Sequence, residues 1–289
     1  SLAITDHGSL YGAIEFYQKA KRAGIKPIIG CEMYVAYERM SDRRPGVDDK
    51  RYHLTLLASN NEGYKNLIKL VTKAHLEGFY YKPRIDKDLL RQHSSGLIAL
   101  SGCFAGEVPR AIRNKKIEAA EHLVREYQEI LGKDNFYLEI APHFNYPDQK
   151  IINDGLIFLS QKTGARLVAT NDIHYVKPED AEAQDILVSV QTGAKSLGDE
   201  DRLSMRGANL SMRSPEEMSS LFPDHPEAIA ATQDIASRIN LDIELGKNKL
   251  PRFSVPENFD ENSYLKELCL TGMKRRYVNA DDTLIKSVT

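Results

Sequence analysis

The chain has 289 residues, of which 42% are hydrophobic and 28% charged, a composition typical of a globular protein with one large domain or two ordinary ones. No apolar run reaches the roughly 20 residues that a membrane helix needs. Three cysteines without a CxxC pair argue against a disulfide framework and favour the cytoplasm, and the net charge of −2 gives no reason for tight nucleic-acid binding by the whole chain.

Strand-like and helix-like segments alternate over the first two thirds of the chain. In the first helical segment Leu10, Ile14 and Tyr17 recur on successive turns before a glycine stop, and Asn60 or Asn61 can cap the second. The alternation predicts an α/β fold with a mainly parallel sheet, and the number of units favours a closed barrel over an open sheet. The predicted strands are residues 2–5, 27–36, 52–58, 96–102, 135–141 and 165–172, and the predicted helices are residues 9–24, 64–71, 116–131 and 148–164.

Two regions depart from this alternation. Residues 37–50 are charged, contain a Pro-Gly pair and lack a helical period, which predicts a surface loop. From residue 181 onwards the pattern predicts helices alone, one of them opened by a capping box of Ser214 and Glu217. Residues 246–263 read as a linker that precedes the first helix of another domain. The predicted helices of this part are residues 181–193, 214–222, 225–240 and 264–277.

Side chains suited to metal binding lie on or just after the predicted strands. In a parallel barrel the carboxyl ends of the strands converge on one face, where active sites are built. His53 instead opens its strand. Because no helix separates that strand from the one that carries Glu32, an antiparallel pair would return His53 to the same end. The residues concerned are Asp6, His7, Glu32, His53, Cys103, Asp172 and His174.

The direction of the side chains divides these residues into ligands and supporting groups. Residues two apart in extended chain point the same way, so Asp172 and His174 can bind one metal while Ile173 turns into the wall. Adjacent residues do not, which favours His7 as the ligand and Asp6 as a carboxylate that orients an imidazole. Mixed His, Asp, Glu and Cys ligation suits zinc, manganese or iron. Two or three such ions about 3.5–4 Å apart would activate a water for phosphoester hydrolysis.

Each of these residues also has a structural interpretation. A single His or Asp near a strand end is more often a cap, and Cys103 alone is more often a small buried hydrophobe, but the joint pattern is far harder to explain as an accident. Cys31, next to Glu32, should face the core. Glu139 and His143 follow another strand and could reach the site, although a structural role is favoured.

Other polar features of the sequence have two interpretations. The basic stretches at residues 21–27 and 80–84 are either contacts for nucleic acid or, as is more usual for runs of charge, a solvated face. The remaining histidines are expected to be structural because they lie on predicted helices or polar loops. They are His75, His93, His122 and His225.

Long strings of the sequence resemble a known family. ITDHG, IIGCEMYVA, YHLTLLASNNEGYKNL, EGFYYKPRID, LIALSGCFAGEV and ATNDIHYV together resemble the PHP (polymerase and histidinol phosphatase) domain of the bacterial DNA polymerase III alpha subunit. SPEEMSSLF, LPRFSVPE and YLKELCLTGMKRRY resemble the stretch in which that subunit passes into its polymerase core. The resemblance implies a distorted (β/α)7 barrel over residues 1–250, then a linker and the first helix of the palm/thumb region over residues 251–289.

The resemblance also implies which positions bind metal. The metal-binding members carry ligands at the positions of His7, Glu32, His53, Cys103, Asp172 and His174, and Asp6 and Asp172 are the candidates for catalysis. The family's first motif, a His-x-His pair with an Asp, does not occur in this sequence. We therefore expect the chain to begin just after that motif, with the first β/α unit of the barrel missing.

The function implied by the resemblance is that of a segment of a replicative DNA polymerase. Its PHP domain would be a 3′–5′ exonuclease with two or three zinc, manganese or iron ions and a structural role, and without the palm aspartates the segment alone would not polymerise. DNA, a sliding clamp and a proofreading subunit are the expected partners, and no membrane is expected. Two alternatives stay open: a free-standing PHP phosphoesterase of the histidinol-phosphate type, and a non-catalytic docking module. The continuation past residue 250 favours the polymerase segment.

Overall fold

The structure is a computed structural model. It describes residues 1–193, 204, 207–247, 250–278, 283 and 287. The chain divides into two compact units, residues 1–243 and residues 244–289. The strands are β1 (Leu2–Ile4), β2 (Pro27–Ala36), β3 (Arg51–Ala58), β4 (Phe79–Tyr80), β5 (Lys82–Ile85), β6 (Leu97–Leu100), β7 (Phe136–Ile140) and β8 (Arg166–Ala169). The helices are α1 (Ala13–Arg22), α2 (Asn61–Leu76), α3 (Lys87–Gln92), α4 (Glu107–Arg113), α5 (Ile117–Leu131), α6 (Pro147–Thr163), α7 (Ala181–Thr192), α8 (Pro215–Leu221), α9 (Pro226–Arg238) and α10 (Glu261–Arg276).

The strands form one curled sheet in the order β4-β5-β2-β3-β6-β7-β8, with β1 paired to the first part of β2. The pairs β1–β2, β2–β5, β6–β7 and β7–β8 are parallel, which agrees with the predicted β-α-β connections. All ten residues of β2 are buried, because this central strand has neighbours on both edges and helices outside it. The prediction of an α/β distorted barrel is confirmed, and the described strands curl into a half-barrel.

β3 runs antiparallel to both of its neighbours, β2 and β6. The connection from β2 to β3 is the charged loop at residues 37–50, which contains neither helix nor strand, as predicted. In this register Glu32 lies opposite Thr55 and Tyr34 lies opposite His53. The predicted antiparallel pair is therefore confirmed, and it brings the start of β3 to the end of the sheet that carries Glu32.

A buried arginine anchors the charged loop. Arg84 of β5 is fully buried, and its guanidinium donates hydrogen bonds to the carbonyl oxygens of Met40, Asp42, Asp48 and Gly78 at 2.7 to 3.2 Å. A buried cation needs such acceptors to offset its lost hydration. The loop is consequently tied to the sheet next to the β4–β5 hairpin.

The β4–β5 hairpin was not predicted from the sequence. Phe79 pairs with Pro83 and Tyr80 with Lys82, which leaves Tyr81 alone at the tip with a left-handed φ of 59°. Two short strands that contain a proline give little period-2 signal. The basic stretch at residues 80–84 is therefore a hairpin rather than a shapeless loop.

Helix termini follow the predicted capping residues. Asn60 caps α2 by accepting a hydrogen bond from the main-chain N–H of Gly63, and Ser214 forms the predicted capping box with Glu217 at the start of α8. In the second unit the predicted helix is α10, which begins three residues earlier than expected. Residues 279–282, 284–286 and 288–289 of the predicted C-terminal segment lie outside the described residues. In the part of the chain that is described, no helix combines the length and the apolar character needed to cross a membrane.

Candidate metal centre

Most of the residues singled out in the sequence line one cavity at the open end of the half-barrel. The cavity has a volume of about 460 Å³ and runs along β1 towards the carboxyl ends of β6, β7 and β8. Of the predicted site residues, those that line it are Asp6, His7, Glu32, Cys103, Asp172 and His174. His53 reaches the same place through its contact with Glu32.

Glu32 lies between two imidazoles. Its Oε1 accepts a hydrogen bond of 2.6 Å from Nδ1 of His53, and its Oε2 lies 3.5 Å from Nδ1 of His7. The carboxylate is buried and His53 half-buried, whereas His7 is exposed towards the cavity mouth. One donor atom from each of the three residues lies within 4.8 Å of the other two. Carboxylate oxygen and imidazole nitrogen at this spacing can share one divalent ion.

The local backbone explains why these three side chains meet. Beyond the end of β1, His7 still forms a parallel bridge to Glu32, so the first strand delivers its imidazole beside the carboxylate. Gly8 follows with a left-handed φ of 62°, and a Cβ at this position would lie 2.9 Å from a side-chain atom of Pro83. A glycine is therefore needed for the chain to turn away from the site without a clash.

Cys103 adds a sulfur to the same group. Its Sγ lies 3.6 Å from Oε1 of Glu32 and 3.8 Å from Nδ1 of His53. The preceding Gly102 has φ 81°, and a Cβ there would lie 2.7 Å from the carbonyl oxygen of His53, so the turn after β6 requires glycine. Burial, with the neighbouring charges of Glu32 and Asp172, raises the pKa of the Cys103 thiol well above its usual range. A metal ion must displace this proton to bind the sulfur.

Asp172 and His174 are hydrogen-bonded to each other, and the His174 ring lies 6.4 Å from the ring of His7. Nε2 of His174 lies 3.2 Å from Oδ1 of Asp172, and this hydrogen bond raises the pKa of His174 against the effect of burial. Burial alone would raise the pKa of Asp172, but the hydrogen bond from His174 and the nearby imidazoles of His143 and His7 lower it. Asp172 is consequently a carboxylate at neutral pH.

The route by which this pair reaches the cavity differs from the predicted one. β8 ends at Ala169, and Asp172 has a left-handed φ of 49°, so the alternation of an extended strand does not apply here. Ile173, which was predicted to turn into the wall, is 45% exposed. That prediction was wrong because the chain turns at Asp172 and is not extended through the pair.

Asp6 supports β2 through its main chain. Its carbonyl oxygen accepts hydrogen bonds from the N–H of Glu32 at 3.0 Å and from the thiol of Cys31 at 3.2 Å. Cys31 is fully buried, as predicted for a core residue. Within the described residues no imidazole is hydrogen-bonded to the Asp6 carboxylate, so the structure gives this residue a place at the cavity without the orienting contact that the sequence suggested.

Glu139 has a larger part in the site than the sequence analysis gave it. Its Oε2 accepts a hydrogen bond from the N–H of Gly102 at 3.1 Å, and its Oε1 accepts one from Oγ1 of Thr170 at 2.6 Å. Burial raises the pKa of Glu139 to about 7 despite these two donors. The side chain joins the ends of β6 and β8, the two strands that lead to Cys103 and Asp172. Its position close to the end of a strand was the available signal.

His143 is the other residue whose position was underrated. It is 4% exposed, and within the described part of the chain neither ring nitrogen has a hydrogen-bond partner. Burial lowers its pKa, and it lines a small void together with Cys103, Glu139 and Asp172. His75 is bonded, as a structural residue should be: its Nε2 donates to the carbonyl oxygen of Gly8 at 2.8 Å.

Comparison with known proteins shows which domain family this chain resembles. Residues 1–143 match the family model described as the PHP domain, and the His/Glu cluster is one that could hold a metal ion, as PHP domains do. The chain is 44% identical over 285 residues to the DNA polymerase III subunit alpha of Thermus aquaticus and 46% identical over 281 residues to that of Borreliella burgdorferi. The alignments cover 96% of this chain but 23% and 24% of those relatives. The predicted resemblance to the PHP domain of the DNA polymerase III alpha subunit is therefore confirmed, and the chain spans about a quarter of the length of these relatives.

The residues present fit a transition metal. Imidazole nitrogen, carboxylate oxygen and thiol sulfur lie together around Glu32, and this mixture suits zinc, manganese or iron better than magnesium or calcium. Glu32 is a buried carboxylate. Its neighbours are imidazoles and a thiol, which carry no charge of opposite sign as neutral groups. A divalent cation would offset the charge of this carboxylate.

Proposed function

We propose that this chain is the PHP portion of a replicative DNA polymerase III alpha subunit and that its metal centre hydrolyses phosphodiester bonds at the 3′ end of DNA. The observation that carries the proposal is the position of Glu32, whose two carboxylate oxygens face His53 and His7 on one wall of the cavity. In this assignment residues 1–250 are the PHP domain and residues 251–289 are a linker and the first helix of the polymerase region. DNA, a sliding clamp and a proofreading subunit are the proposed partners, in the cytoplasm.

The proposed ligands form two neighbouring groups at the same cavity. The first group is His7, Glu32, His53 and Cys103, and the second is the Asp172–His174 pair, whose imidazole lies 6.4 Å from that of His7. Bound zinc, manganese or iron ions would supply Lewis acidity and a water of lowered pKa. Two groups of donors around one cavity are what a centre with more than one ion requires.

The chain's own residues have distinct tasks in this proposal. Asp172 is ionised at neutral pH because its pKa is lowered, so it serves as a charged ligand and makes a poor proton acceptor. His174 keeps Asp172 oriented through their 3.2 Å contact. Asp6 lies exposed beside His7 at the mouth of the cavity, where its carboxylate can reach a water at the scissile phosphate. These are the proposed catalytic roles of the two aspartates.

The alternatives explain less of the chain. A free-standing phosphoesterase acting on a small molecule would not need sequence similar to polymerase subunits beyond residue 143, yet the similarity covers 96% of the chain. A non-catalytic docking module would not need a nearly buried carboxylate between two imidazoles, because such a group is costly to bury without a function.

Substitution of Asp172 tests the proposal. In the full-length protein, Asp172→Ala should reduce release of 3′ nucleotides from single-stranded DNA by about 100-fold or more, since a ligand is lost, while primer extension stays within about twofold. Asp154→Ala is the matched control, because Asp154 is an exposed aspartate on α6. Equal loss of both activities would make Asp172 structural, and an unchanged exonuclease rate would overturn the proposal. Hydrolysis of histidinol phosphate without hydrolysis of DNA would support the free-standing phosphoesterase.

A further inference from the structure

The β4–β5 hairpin lies at the rim of the candidate metal centre. Pro83 of the hairpin is in close contact with Gly8, the residue after His7. Tyr34 of β2 connects the two regions: its ring stacks on the ring of His7 at 5.9 Å and meets the ring of His53 edge-on at 5.2 Å. A molecule bound along this hairpin would therefore lie next to the proposed ligands.

Two cations lie on the same tyrosine. Cζ of Arg51 is 5.4 Å and Nζ of Lys82 is 5.9 Å from the centre of the Tyr34 ring. Among the described residues neither cation has a carboxylate within salt-bridge distance, although acidic residues outnumber basic ones in the whole chain. Arg51 donates from one guanidinium nitrogen to the carbonyl oxygen of Asp49, and its Nε is buried with no partner in the described part of the chain. Unpaired cations beside a phosphoester site are suited to binding phosphate.

The hairpin also exposes aromatic rings. Tyr81 at the tip is 68% exposed and Phe79 is 50% exposed, while Tyr80 packs against Tyr81 with ring centres 4.7 Å apart. The left-handed φ of 59° at Tyr81 is unfavourable for a bulky side chain. Strained residues of this kind persist where the surrounding structure imposes them, and they are concentrated at functional sites.

We propose that this hairpin, with Arg51, binds a single strand of DNA and leads its end to the metal centre. A base stacks on Tyr81, and the phosphates next to it contact Lys82 and Arg51. Exposed aromatic rings alternating with cations are the arrangement that binds single strands, because the faces of unpaired bases can stack on them. A duplex would hide those faces. The choice of DNA as the strand rests on the proposed function.

Photo-crosslinking tests the stacking contact without relying on hydrolysis. The full-length protein is mixed in EDTA with an oligothymidylate that contains 5-iodouracil, irradiated, and digested for peptide mapping. Crosslinks are expected within residues 79–82, at Tyr81 above all. Asparagine tolerates the left-handed backbone. Tyr81→Asn should therefore raise the apparent Kd, measured from the yield of the hairpin crosslink, about tenfold. Phe158→Ala is the control, since Phe158 on α6 is 49% exposed. Crosslinks elsewhere with none in residues 79–82 would overturn the proposal.

The salt dependence of the same crosslink tests the phosphate contacts. Lys82→Gln and Arg51→Gln should each flatten the plot of log Kd against log salt concentration by about 0.7, the value for one lost phosphate contact on a single strand. Lys133→Gln is the control, because Lys133 is exposed before the start of β7, away from the cavity. Unchanged slopes in both variants would contradict the phosphate contacts.

The outcomes separate this proposal from the proposed function. Hairpin crosslinks in a protein that never hydrolyses DNA would sustain the binding site and overturn the exonuclease. Hydrolysis that depends on Asp172, in a protein without hairpin crosslinks, would sustain the exonuclease and overturn the binding site.

Discussion

Oε1 of Glu32 and Nδ1 of His53 are 2.6 Å apart across two antiparallel strands. Because a carboxylate can only accept, Nδ1 of His53 donates in this contact, and a metal ion held between the two side chains would take the place of that proton. The contact fixes the orientation of both side chains before any ion binds. Such preorganised donors lose little freedom on binding a metal.

Neutralising Glu32 should weaken metal binding. Glu32→Gln keeps the size of the side chain but removes the negative charge that faces His53 and His7. We expect the affinity for Mn²⁺, measured by isothermal titration calorimetry, to fall by about 10- to 100-fold or more. Glu15→Gln is the control, since Glu15 is exposed on α1 and pairs only with Lys19 among the described residues. Equal affinity in wild type and Glu32→Gln would mean that Glu32 is not a ligand.

Replacing the thiol of Cys103 should change metal preference as well as affinity. Sulfur favours zinc over manganese, so Cys103→Ser should lower the affinity for Zn²⁺ about tenfold more than the affinity for Mn²⁺. Because the pKa of this thiol is raised, zinc binding by the wild type should also release one more proton at pH 7, seen as buffer-dependent heat. Cys269→Ser, at an exposed position on α10, should alter neither quantity. Parallel losses for both metals would exclude sulfur ligation.

Glu139 should make the metal-free protein less stable as the pH rises. Its folded pKa of about 7 exceeds the usual value of 4.5, so the folded state binds more protons than the unfolded state between those values, and the free energy of unfolding falls across that interval. The full loss is about 3 kcal/mol above pH 7. In Glu139→Gln this loss is absent. Urea unfolding in EDTA at pH 5 and pH 8 should therefore show the variant gaining on the wild type at the higher pH. A constant difference would contradict the raised pKa.

The strain at the hairpin tip should be measurable as stability. Asn adopts a left-handed φ more readily than Tyr, so Tyr81→Asn should raise the free energy of unfolding by about 0.5–1 kcal/mol. Tyr11→Asn is the control, because Tyr11 is 88% exposed and has no left-handed φ. A loss of stability in Tyr81→Asn, measured by urea unfolding, would show that contacts of the ring outweigh the strain.

Much of the fold and part of the site could be predicted from the sequence. The continuous apolar run of β2 was evident in the sequence. The absence of a helix between β2 and β3 was enough to predict that β3 runs antiparallel to β2 and brings His53 to the level of Glu32. These features depend on local periodicity and on simple rules of strand connection.

The remaining features depend on tertiary contacts that leave little trace in the sequence. The turn at Asp172 replaces the expected strand, and aspartate adopts a left-handed φ too rarely for its presence alone to predict that turn. The pKa of Glu139 is raised because the folded chain buries its side chain between the ends of β6 and β8. The hairpin around Tyr81 is too short to have a period, so its aromatic and basic residues could equally have been a solvated face.

The central claim is that His7, Glu32 and His53 together bind a metal ion. Anomalous diffraction at the zinc edge from crystals of the full-length protein grown with Zn²⁺ tests it directly. We predict an anomalous peak about 2.0–2.2 Å from a donor atom of each of these three side chains. A protein that binds zinc at other positions, with no anomalous density among these three residues, would contradict the account.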